Sequence, residues 1–413
     1  MLRKFGFAIL RIFRVSLFVL PVLTIFTIGL FCKRKQAPSA VMFSLSRAQV
    51  FENTTPENIS RYLQQNRFKD LGSYSEVLFE VRSMRTIFLK SKDFTYDSSI
   101  YLLFYVLKRR SYLSLFREVI SASLKNSDKK LTIQSSKRKF FDQVIWNEFI
   151  ENYQKRFTMI TTQSSLDILP EPFYISSKPG IIRVMMWYST NSKPIILKDD
   201  SKSELLNLSA LESFVDQHWV WNEYDARFLV NSGLKSVIPL GSIVFQEEII
   251  APKSINHFNI TFFDVTPITD AAGFYTEEMA LDLLNNVLEI GSRFRAEYGN
   301  YVKIRLKPKR EYSGLHSLEY CMAIEQANQS GMINTLSPNS NLYSIISESD
   351  VVLSTPFTSP SVIARELNIE TFYVAFNLDK WEIPEISSGV PVIKTFEDLY
   401  LNLKNKINAK LEN

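Results

Sequence analysis

The chain has 413 residues, of which 46% are hydrophobic and 22% charged. These values predict a folded protein of two or three domains and exclude a disordered chain, a collagen-like repeat and, with two cysteines, a disulfide-stapled domain. The net charge of +5 comes from residues 1–35, which carry basic but no acidic side chains. The rest of the chain is slightly acidic, which disfavours nucleic acid as a partner.

Residues 15–32 form an uncharged, mostly apolar stretch between Arg14 and Lys33. This is slightly shorter than the roughly 20 residues that a helix needs to cross a bilayer. The preceding residues 5–14 place arginines on one helical face and apolar side chains on another, which is typical of an interfacial helix. We therefore expect residues 1–35 to anchor the protein to a membrane, by spanning it or by lying on it. A cleaved signal peptide and a buried helix are the alternatives.

Residues 46–160 are predicted to be mostly helical, whereas from about residue 180 short apolar runs alternate with helical patterns. Asn222 and Gly233 bound the first of these helices. The predicted strands are 181–188, 194–198, 218–221, 236–240, 258–265, 301–306, 350–354, 371–376 and 390–393. The predicted helices are 223–232, 276–297, 315–329, 340–348, 360–368 and 395–410.

This alternation of strands and helices is typical of βαβ units with a parallel sheet. It predicts an α/β protein with two Rossmann-like domains that face a cleft. The first domain, 36–250, carries additional helices, and Pro252 marks the boundary to the second, 251–393. Residues 394–413 are predicted to form a helix that packs back onto the protein.

Several familiar catalytic motifs are missing from the sequence. It has no Walker loop, no Gly-x-Gly-x-x-Gly, no His-Glu-x-x-His and no Gly-x-Ser-x-Gly. The three histidines are widely spaced and suggest no metal cluster. We therefore expect neither a metal site nor a bound cofactor.

Polar and basic residues instead follow three predicted strands of the second domain. Carboxyl ends of strands are where open α/β sheets bind ligands, and amides, cations and hydroxyls at one such edge suit a phosphate group. Ordinary surface loops and helix caps are the alternative interpretation. The candidate phosphate- or nucleotide-binding residues are Thr266, Thr269 and Gly273 after the first strand, Lys307, Lys309 and Arg310 after the second, and Pro356, Phe357, Thr358 and Ser359 after the third.

The segment SDVVLSTPFTSPSVIARELNIETFYV, residues 349–374, resembles bacterial surface-polysaccharide biosynthesis proteins that are named for a Pro-Phe-Thr-Ser motif. The motif is unbroken in this chain and follows an apolar strand, as in that group. Residues 220–245, 260–267 and 305–310 are also similar to the group, so the resemblance covers about 185–376. It implies a glycosyltransferase of the two-Rossmann GT-B type, which binds a nucleotide-activated sugar on its C-terminal domain and needs no metal in its active site.

In related sialyl- and Kdo-transferases, a basic or His-Pro motif and a Ser/Thr motif hold the donor phosphate. The resemblance gives the first role to Lys307, Lys309 and Arg310, and the second to Thr358 and Ser359. No His-Pro dipeptide occurs, which disfavours a CMP-sialate donor and leaves CMP-, CDP- and UDP-linked donors open.

A metal-free transferase also needs a base for the acceptor hydroxyl. The candidates are Asp167, Glu171 and Glu223, with Asp216 less favoured. Glu223 could instead support the first turn of its helix. Trp219 and Trp221 alternate along a predicted strand, so they either pack in the core or stack on a sugar.

These inferences predict a glycosyltransferase that extends a bacterial surface polysaccharide on a lipid-linked or polysaccharide acceptor. We expect it at the inner membrane with its catalytic domains facing the cytoplasm, where nucleotide sugars are made. The alternatives are a non-catalytic membrane regulator of polysaccharide chain length or export, and a teichoic-acid-type polyol-phosphate transferase.

Overall fold

The computed structural model describes residues 40–43, 62–63, 77–79, 157–162, 180–187, 194–197, 204–205, 215–231, 233–244, 246, 248–265, 276–312, 316–378, 381–382 and 385–412. The chain divides into two compact units. Unit 1 consists of Met1–Phe51, Thr55–Met186 and Glu212–His218, and unit 2 of Glu52–Thr54, Trp187–Leu211 and Trp219–Asn413.

Strands and helices both occur in the described parts of the chain. In chain order, the strands are β1 (Ala40–Phe43), β2 (Val77–Phe79), β3 (Phe157–Thr161), β4 (Ile181–Met186), β5 (Pro194–Leu197), β6 (Glu204–Leu205), β7 (Gln217–Val220), β8 (Val237–Pro239), β9 (Phe258–Phe263), β10 (Val302–Lys307), β11 (Asn334–Thr335), β12 (Val351–Ser354), β13 (Glu370–Val374), β14 (Trp381–Glu382), β15 (Ile386–Ser387) and β16 (Val390–Ile393). The helices are α1 (Glu223–Asn231), α2 (Glu277–Tyr298), α3 (Leu318–Gln329), α4 (Leu342–Ser347), α5 (Ser359–Glu366) and α6 (Phe396–Leu411), with a 3-10 turn at Gly299–Tyr301.

The strands form three sheets. One has the order β2-β1-β3-β4-β7-β8, and its first four strands are parallel. A small antiparallel sheet has the order β14-β5-β6. The third has seven strands in the order β11-β10-β9-β12-β13-β16-β15, of which only the edge strand β15 is antiparallel to its neighbour. An α/β fold with parallel sheets is therefore confirmed, while the cleft and the boundary near Pro252 stay predictions.

The seven-stranded sheet has the topology of a Rossmann domain. Its parallel strands, taken in chain order, lie side by side as 3-2-1-4-5-6, which is the order of the dinucleotide-binding fold. Helices α2, α3, α4 and α5 connect successive strands from β9 to β13. The strand order reverses between β9 and β12, so this pair is the topological switch point of the sheet.

Apolar side chains from both the strands and the helices form a large continuous core in unit 2. Helix α6 contributes Leu399, Leu403 and Ile407, which recur every four residues on one helical face and are fully buried. It packs beside α2, where the Phe294 and Tyr400 rings stack with their centroids 5.0 Å apart. The predicted C-terminal helix thus packs onto the core of unit 2.

Local sequence signals account for the ends of the helices. The Asn222 side-chain oxygen accepts the N–H groups of Tyr224 and Asp225, each at 3.0 Å, and so caps α1, which ends before Gly233 at φ +96°. Thr276 caps α2 through the N–H of Met279 at 3.2 Å. The strands and helices predicted from residue 180 onward are confirmed, with ends that differ by at most three residues, and the short strands β6, β11, β14 and β15 were not predicted.

The prediction that residues 46–160 are mostly helical falls largely outside the described residues, of which 62–63 are helical. Strands β2 and β3 lie in this stretch, and β1 before it was not predicted. These strands are three to five residues long, and such short apolar runs carry no period that separates a buried parallel strand from a helix. Among the helices that the structure describes, none combines the length and apolar character needed to cross a bilayer. The anchor predicted at 1–35 lies outside the described residues.

Candidate functional site

The register of the sheet brings three strand ends together at its carboxyl edge. Phe263 at the end of β9 is paired with Lys307 of β10 on one side and with Ser354 of β12 on the other. The chain therefore leaves the three strands at the same level, at Asp264, at residue 308 and at Thr355. Open α/β sheets bind ligands at this place, outside the carboxyl ends of the strands at the switch point.

The turn of residues 356–359, which we call the PFTS turn, leads from β12 into α5. Its Phe357 has φ +65°, a left-handed conformation that bulky residues rarely adopt and that costs on the order of 1–3 kcal/mol. The ring compensates by packing, since it is 1% exposed and contacts a small apolar cluster. That cluster consists of Val265, Met279, Ala375 and Leu378. Phe357, predicted as a binding residue, therefore anchors the turn in the core.

Hydroxyl groups brace the same turn. The Thr358 hydroxyl donates to the Thr355 carbonyl at 2.7 Å, and the Tyr373 hydroxyl donates to the Thr358 carbonyl at 2.8 Å. Ser354 and Ser361 share a hydrogen bond of 2.6 Å between their hydroxyl oxygens. The turn is held from several directions, so the start of α5 has a fixed position.

No side chain of the described residues caps the N-terminus of α5. Thr358 occupies the N-cap position, but its hydroxyl is directed to a carbonyl instead of to the helix. Ser359, the first helical residue, is half-buried. The Thr355 hydroxyl is fully buried and has no hydrogen-bond partner among the described residues. Helix N-termini attract anions through their N–H groups and the helix dipole.

The turn after β10, residues 308–310, which we call the basic turn, separates the three predicted cations. Lys307, the last residue of β10, is 7% exposed, and its ammonium donates to the carbonyls of Pro308 at 3.0 Å and Pro338 at 2.6 Å. Lys309 and Arg310 are exposed. Two cations are thus placed at the surface of the carboxyl edge, and the third lies beneath them.

Asp264, directly after β9, was not among the site residues predicted from the sequence. It is 8% exposed, and its carboxylate accepts the Lys309 N–H at 2.7 Å and the Tyr320 hydroxyl at 3.1 Å. Burial raises its pKa to about 6, although both hydrogen bonds and the charges of Lys307 and Lys309 act in the opposite direction. The available signal was an acidic residue at the end of the apolar run ITFF, residues 260–263.

Two of the candidate bases lie in described parts of the chain. Glu223 is the exposed first residue of α1, where a negative charge interacts favourably with the helix dipole. Arg183 donates three hydrogen bonds to the Asp216 carboxylate, two from its guanidinium group at 2.8 and 3.0 Å and one from its backbone N–H at 2.8 Å. Burial raises the pKa of Asp216, but the contacts with Arg183 outweigh burial and lower it, so this carboxylate is a poor proton acceptor.

Trp219 and Trp221 are both fully buried, and the Trp221 indole N–H donates to the Trp187 carbonyl at 2.7 Å. They pack in the core and present no face to a sugar. Within the described ranges, no three His, Cys, Asp or Glu side chains come together as a possible metal site. The predicted site residues outside the described residues are Asp167, Glu171, Thr266, Thr269 and Gly273.

Two solved structures share this fold. TarM matches with a TM-score of 0.52 at 10% identity, over 91% of this chain and 93% of TarM. The Staphylococcus aureus TarM G117R mutant, solved with Fondaparinux, α-GlcNAc-glycerol and UDP, matches with a TM-score of 0.50 at 9% identity, over 91% and 94% of the two chains. The likeness shows an α/β fold with parallel sheets similar to that of TarM. No curated protein sequence matches the chain.

One protein-family model matches residues 115–403, under the description "Polysaccharide biosynthesis PFTS motif protein". The match covers more than half of the chain and contains the whole Rossmann sheet with the PFTS turn at its switch point. It also begins about 70 residues before the stretch that carried the resemblance in the sequence, and it confirms that resemblance. The chain therefore belongs to the family of polysaccharide biosynthesis PFTS motif proteins.

Proposed function

We propose that the protein is a glycosyltransferase that uses a nucleotide-activated sugar in the synthesis of a bacterial surface polysaccharide. The observation that carries the proposal is the position of the PFTS turn at the switch point of a 3-2-1-4-5-6 sheet. The basic turn follows the strand on the other side of β9, so the two turns are separated by two strand spacings, roughly 10 Å. An extended nucleotide sugar is long enough to contact both turns.

The proposed reaction is transfer of the sugar to an acceptor hydroxyl. The acceptor oxygen forms a bond to the anomeric carbon, the bond from that carbon to the donor phosphate oxygen breaks, and the nucleotide leaves with the electron pair. The N–H groups at the start of α5, with Ser359, would stabilise the leaving phosphate together with Lys309 and Arg310. Fixed dipoles and cations of this kind would let the enzyme work without a metal. Lys307 would support the basic turn from below through its two carbonyl contacts.

A base must accept the proton of the acceptor hydroxyl, and Asp167, Glu171 and Glu223 are the proposed candidates. Among donors, UDP-sugars are the first to test, because a protein of similar fold was solved with UDP. CMP- and CDP-linked sugars follow. The proposed acceptor is lipid-linked or a growing polysaccharide. Residues 1–35 would hold the enzyme at the inner membrane with its catalytic domains in the cytoplasm.

The proposal is tested by transfer of radiolabelled sugar from UDP-, CDP- and CMP-linked donors in membranes that contain the full chain. We expect Lys309→Ala and Ser359→Ala to lower transfer by roughly 100-fold, the usual scale for loss of a charge-stabilising group. The matched controls, Lys253→Ala and Ser254→Ala, precede β9 at the opposite edge of the sheet and should transfer normally.

Normal transfer by both carboxyl-edge variants would contradict the assignment of the site. A product whose mass increases by a polyol phosphate would instead identify a polyol-phosphate transferase. Protease protection tests the topology, since cleavage of residues 180–376 from outside intact spheroplasts would contradict a cytoplasmic catalytic domain.

A further inference from the structure

Asp264 connects the three chain segments that meet at the carboxyl edge of β9 and β10. One carboxylate oxygen, Oδ1, accepts the backbone N–H of Lys309 at 2.7 Å. The other, Oδ2, accepts the hydroxyl of Tyr320, in the first turn of α3, at 3.1 Å. The backbone N–H of Asp264 donates to the Lys307 carbonyl at 3.2 Å. One buried residue thus ties the end of β9 to the basic turn and to α3.

These bonds fix the backbone that carries the exposed cations. Lys309 is held through its peptide N–H while its side chain remains exposed, and Arg310 is the next residue. A turn that is ordered before the ligand arrives loses less conformational entropy on binding than a mobile one. The contacts of Asp264 would therefore affect the binding of an anion by Lys309 and Arg310 without any contact between Asp264 and that anion.

The charge of this carboxylate also acts on the same cations. Burial raises its pKa to about 6 in spite of its hydrogen bonds and the neighbouring ammonium groups. Among the described residues, the ionisable groups around it are Lys307, Lys309, Tyr312 and Tyr320, with Cys321 close to both tyrosines. An ionised carboxylate weakens the positive potential of the edge, and a neutral carboxyl group does not.

We propose that Asp264 is a positioning residue of the donor site, which holds the basic turn in place for the donor phosphate and sets how strongly Lys309 and Arg310 attract it. This proposal rests on the proposed function, because the anion in question is the phosphate of the nucleotide donor. The three hydrogen bonds of Asp264 to Lys309, Tyr320 and Lys307, which we call the clamp, do not depend on that function and can be measured without any ligand.

The first experiment measures backbone hydrogen exchange in the unliganded full chain by mass spectrometry. Asp264→Ala removes both acceptors, so peptides that cover residues 308–312 should exchange faster than in the wild type. Asp264→Asn is the matched control, since its carbonyl oxygen can still accept the Lys309 N–H and the Tyr320 hydroxyl can accept from its amide. Unchanged exchange in a folded Asp264→Ala variant would overturn the proposal.

The second experiment measures the dissociation constant of the bound nucleotide by calorimetry between pH 5 and pH 8. Asp264→Ala should bind about tenfold more weakly than the wild type, the scale of one hydrogen bond to a charged group. Asp264→Asn should bind more tightly than the wild type at pH 8, and the ratio of the two constants should approach one near pH 5. The ratio cancels the titration of the nucleotide phosphate, so a ratio independent of pH would contradict the proposal.

Tyr320→Phe provides the test if Asp264→Ala does not fold. It removes one donor to the carboxylate, so the carboxylate should keep its proton up to a higher pH. The ratio of the dissociation constants with and without Asp264→Asn, measured in the Tyr320→Phe background, should therefore have a higher pH midpoint than in the wild type. An unmoved midpoint would count against the hydrogen bonds of Asp264 as a clamp. If exchange responds as expected but neither the wild type nor any variant binds a nucleotide, the proposed function fails. The role of Asp264 in donor binding then fails with it, and only the structural clamp remains.

Discussion

The two edges of the Rossmann sheet differ in the partners of their charged side chains. At the amino edge, the ammonium of Lys410 lies 2.8 Å from a carboxylate oxygen of Asp350, and the guanidinium of Arg305 lies 2.9 Å from one of Glu348. At the carboxyl edge, the buried Asp264 receives its hydrogen bonds from a peptide N–H and a phenol. Charges at the amino edge are paired with opposite charges, whereas the carboxylate of Asp264 at the carboxyl edge is held by a peptide N–H and a phenol, and its burial raises its pKa to about 6.

The largest expected effect of a single substitution concerns the PFTS turn. Phe357→Ala should lower the free energy of unfolding by about 4 kcal/mol, because a buried ring is lost. Phe357→Gly should be more stable than Phe357→Ala by about 1 kcal/mol, since only glycine adopts φ +65° without strain. Urea denaturation measures both differences.

The control for this comparison is Phe376, another buried phenylalanine, which is not among the residues with positive φ. There the alanine variant should be the more stable of the two, because glycine has the more flexible unfolded chain. If Phe357→Ala is also more stable than Phe357→Gly, the left-handed conformation of Phe357 is contradicted.

The next effect tests the amino edge. Arg305 is 8% exposed and donates to Thr261, Ile345, Glu348 and Ser349. Arg305→Ala should lower the free energy of unfolding by about 3 kcal/mol, because it leaves a carboxylate and several buried acceptors without their partner. The nucleotide dissociation constant of the folded variant should stay unchanged.

Arg295 is the matched control for Arg305, since among the described residues it donates to two surface carbonyls, those of Ser330 and Gly331, at 3.2 and 3.3 Å. Arg295→Ala should cost less than about 1 kcal/mol. A loss of nucleotide affinity in folded Arg305→Ala would break the contrast between the two edges.

The carboxyl edge itself could be predicted from the sequence because its signals are local. Apolar runs end at polar and basic residues, and the PFTS motif directly precedes a helix. The details depend on distant partners. Asp264 is bound by residues 45 and 56 positions away, and Lys307 donates to a carbonyl 31 positions away, so neither arrangement is visible in a local pattern. The buried ring of Phe357 likewise follows from packing against residues on other elements.

The smallest effect is a change in the pH dependence of stability. The pKa of Asp264 is about 6 in the folded protein, against an ordinary value of 3.8. Between pH 3.8 and pH 6 the folded protein therefore keeps a proton that the unfolded chain loses. The contribution of this proton to the free energy of unfolding falls as the pH rises. Burial lowers the pKa of His218 from its ordinary 6.5 to about 4. The contribution of His218 to the free energy of unfolding therefore falls as the pH drops from 6.5 to 4.

The two groups therefore oppose each other between pH 4 and pH 6. Asp264→Asn removes only the first contribution, so acidification from pH 7.5 to pH 5 should destabilise this variant by about 1 kcal/mol more than the wild type. Melting temperatures at the two pH values measure the difference. An equal drop in both proteins would mean that Asp264 titrates normally.

The central claim, that the carboxyl edge binds a nucleotide, is tested most directly by thermal unfolding of the full chain with CMP, CDP, UDP and GDP, without added metal. One nucleotide at ~100-fold excess over its dissociation constant should raise the free energy of unfolding by about 2.7 kcal/mol. We expect this gain to disappear in Lys309→Ala and to persist in Lys253→Ala. A cooperatively unfolding sample that no nucleotide stabilises would contradict the account and favour a non-catalytic regulator.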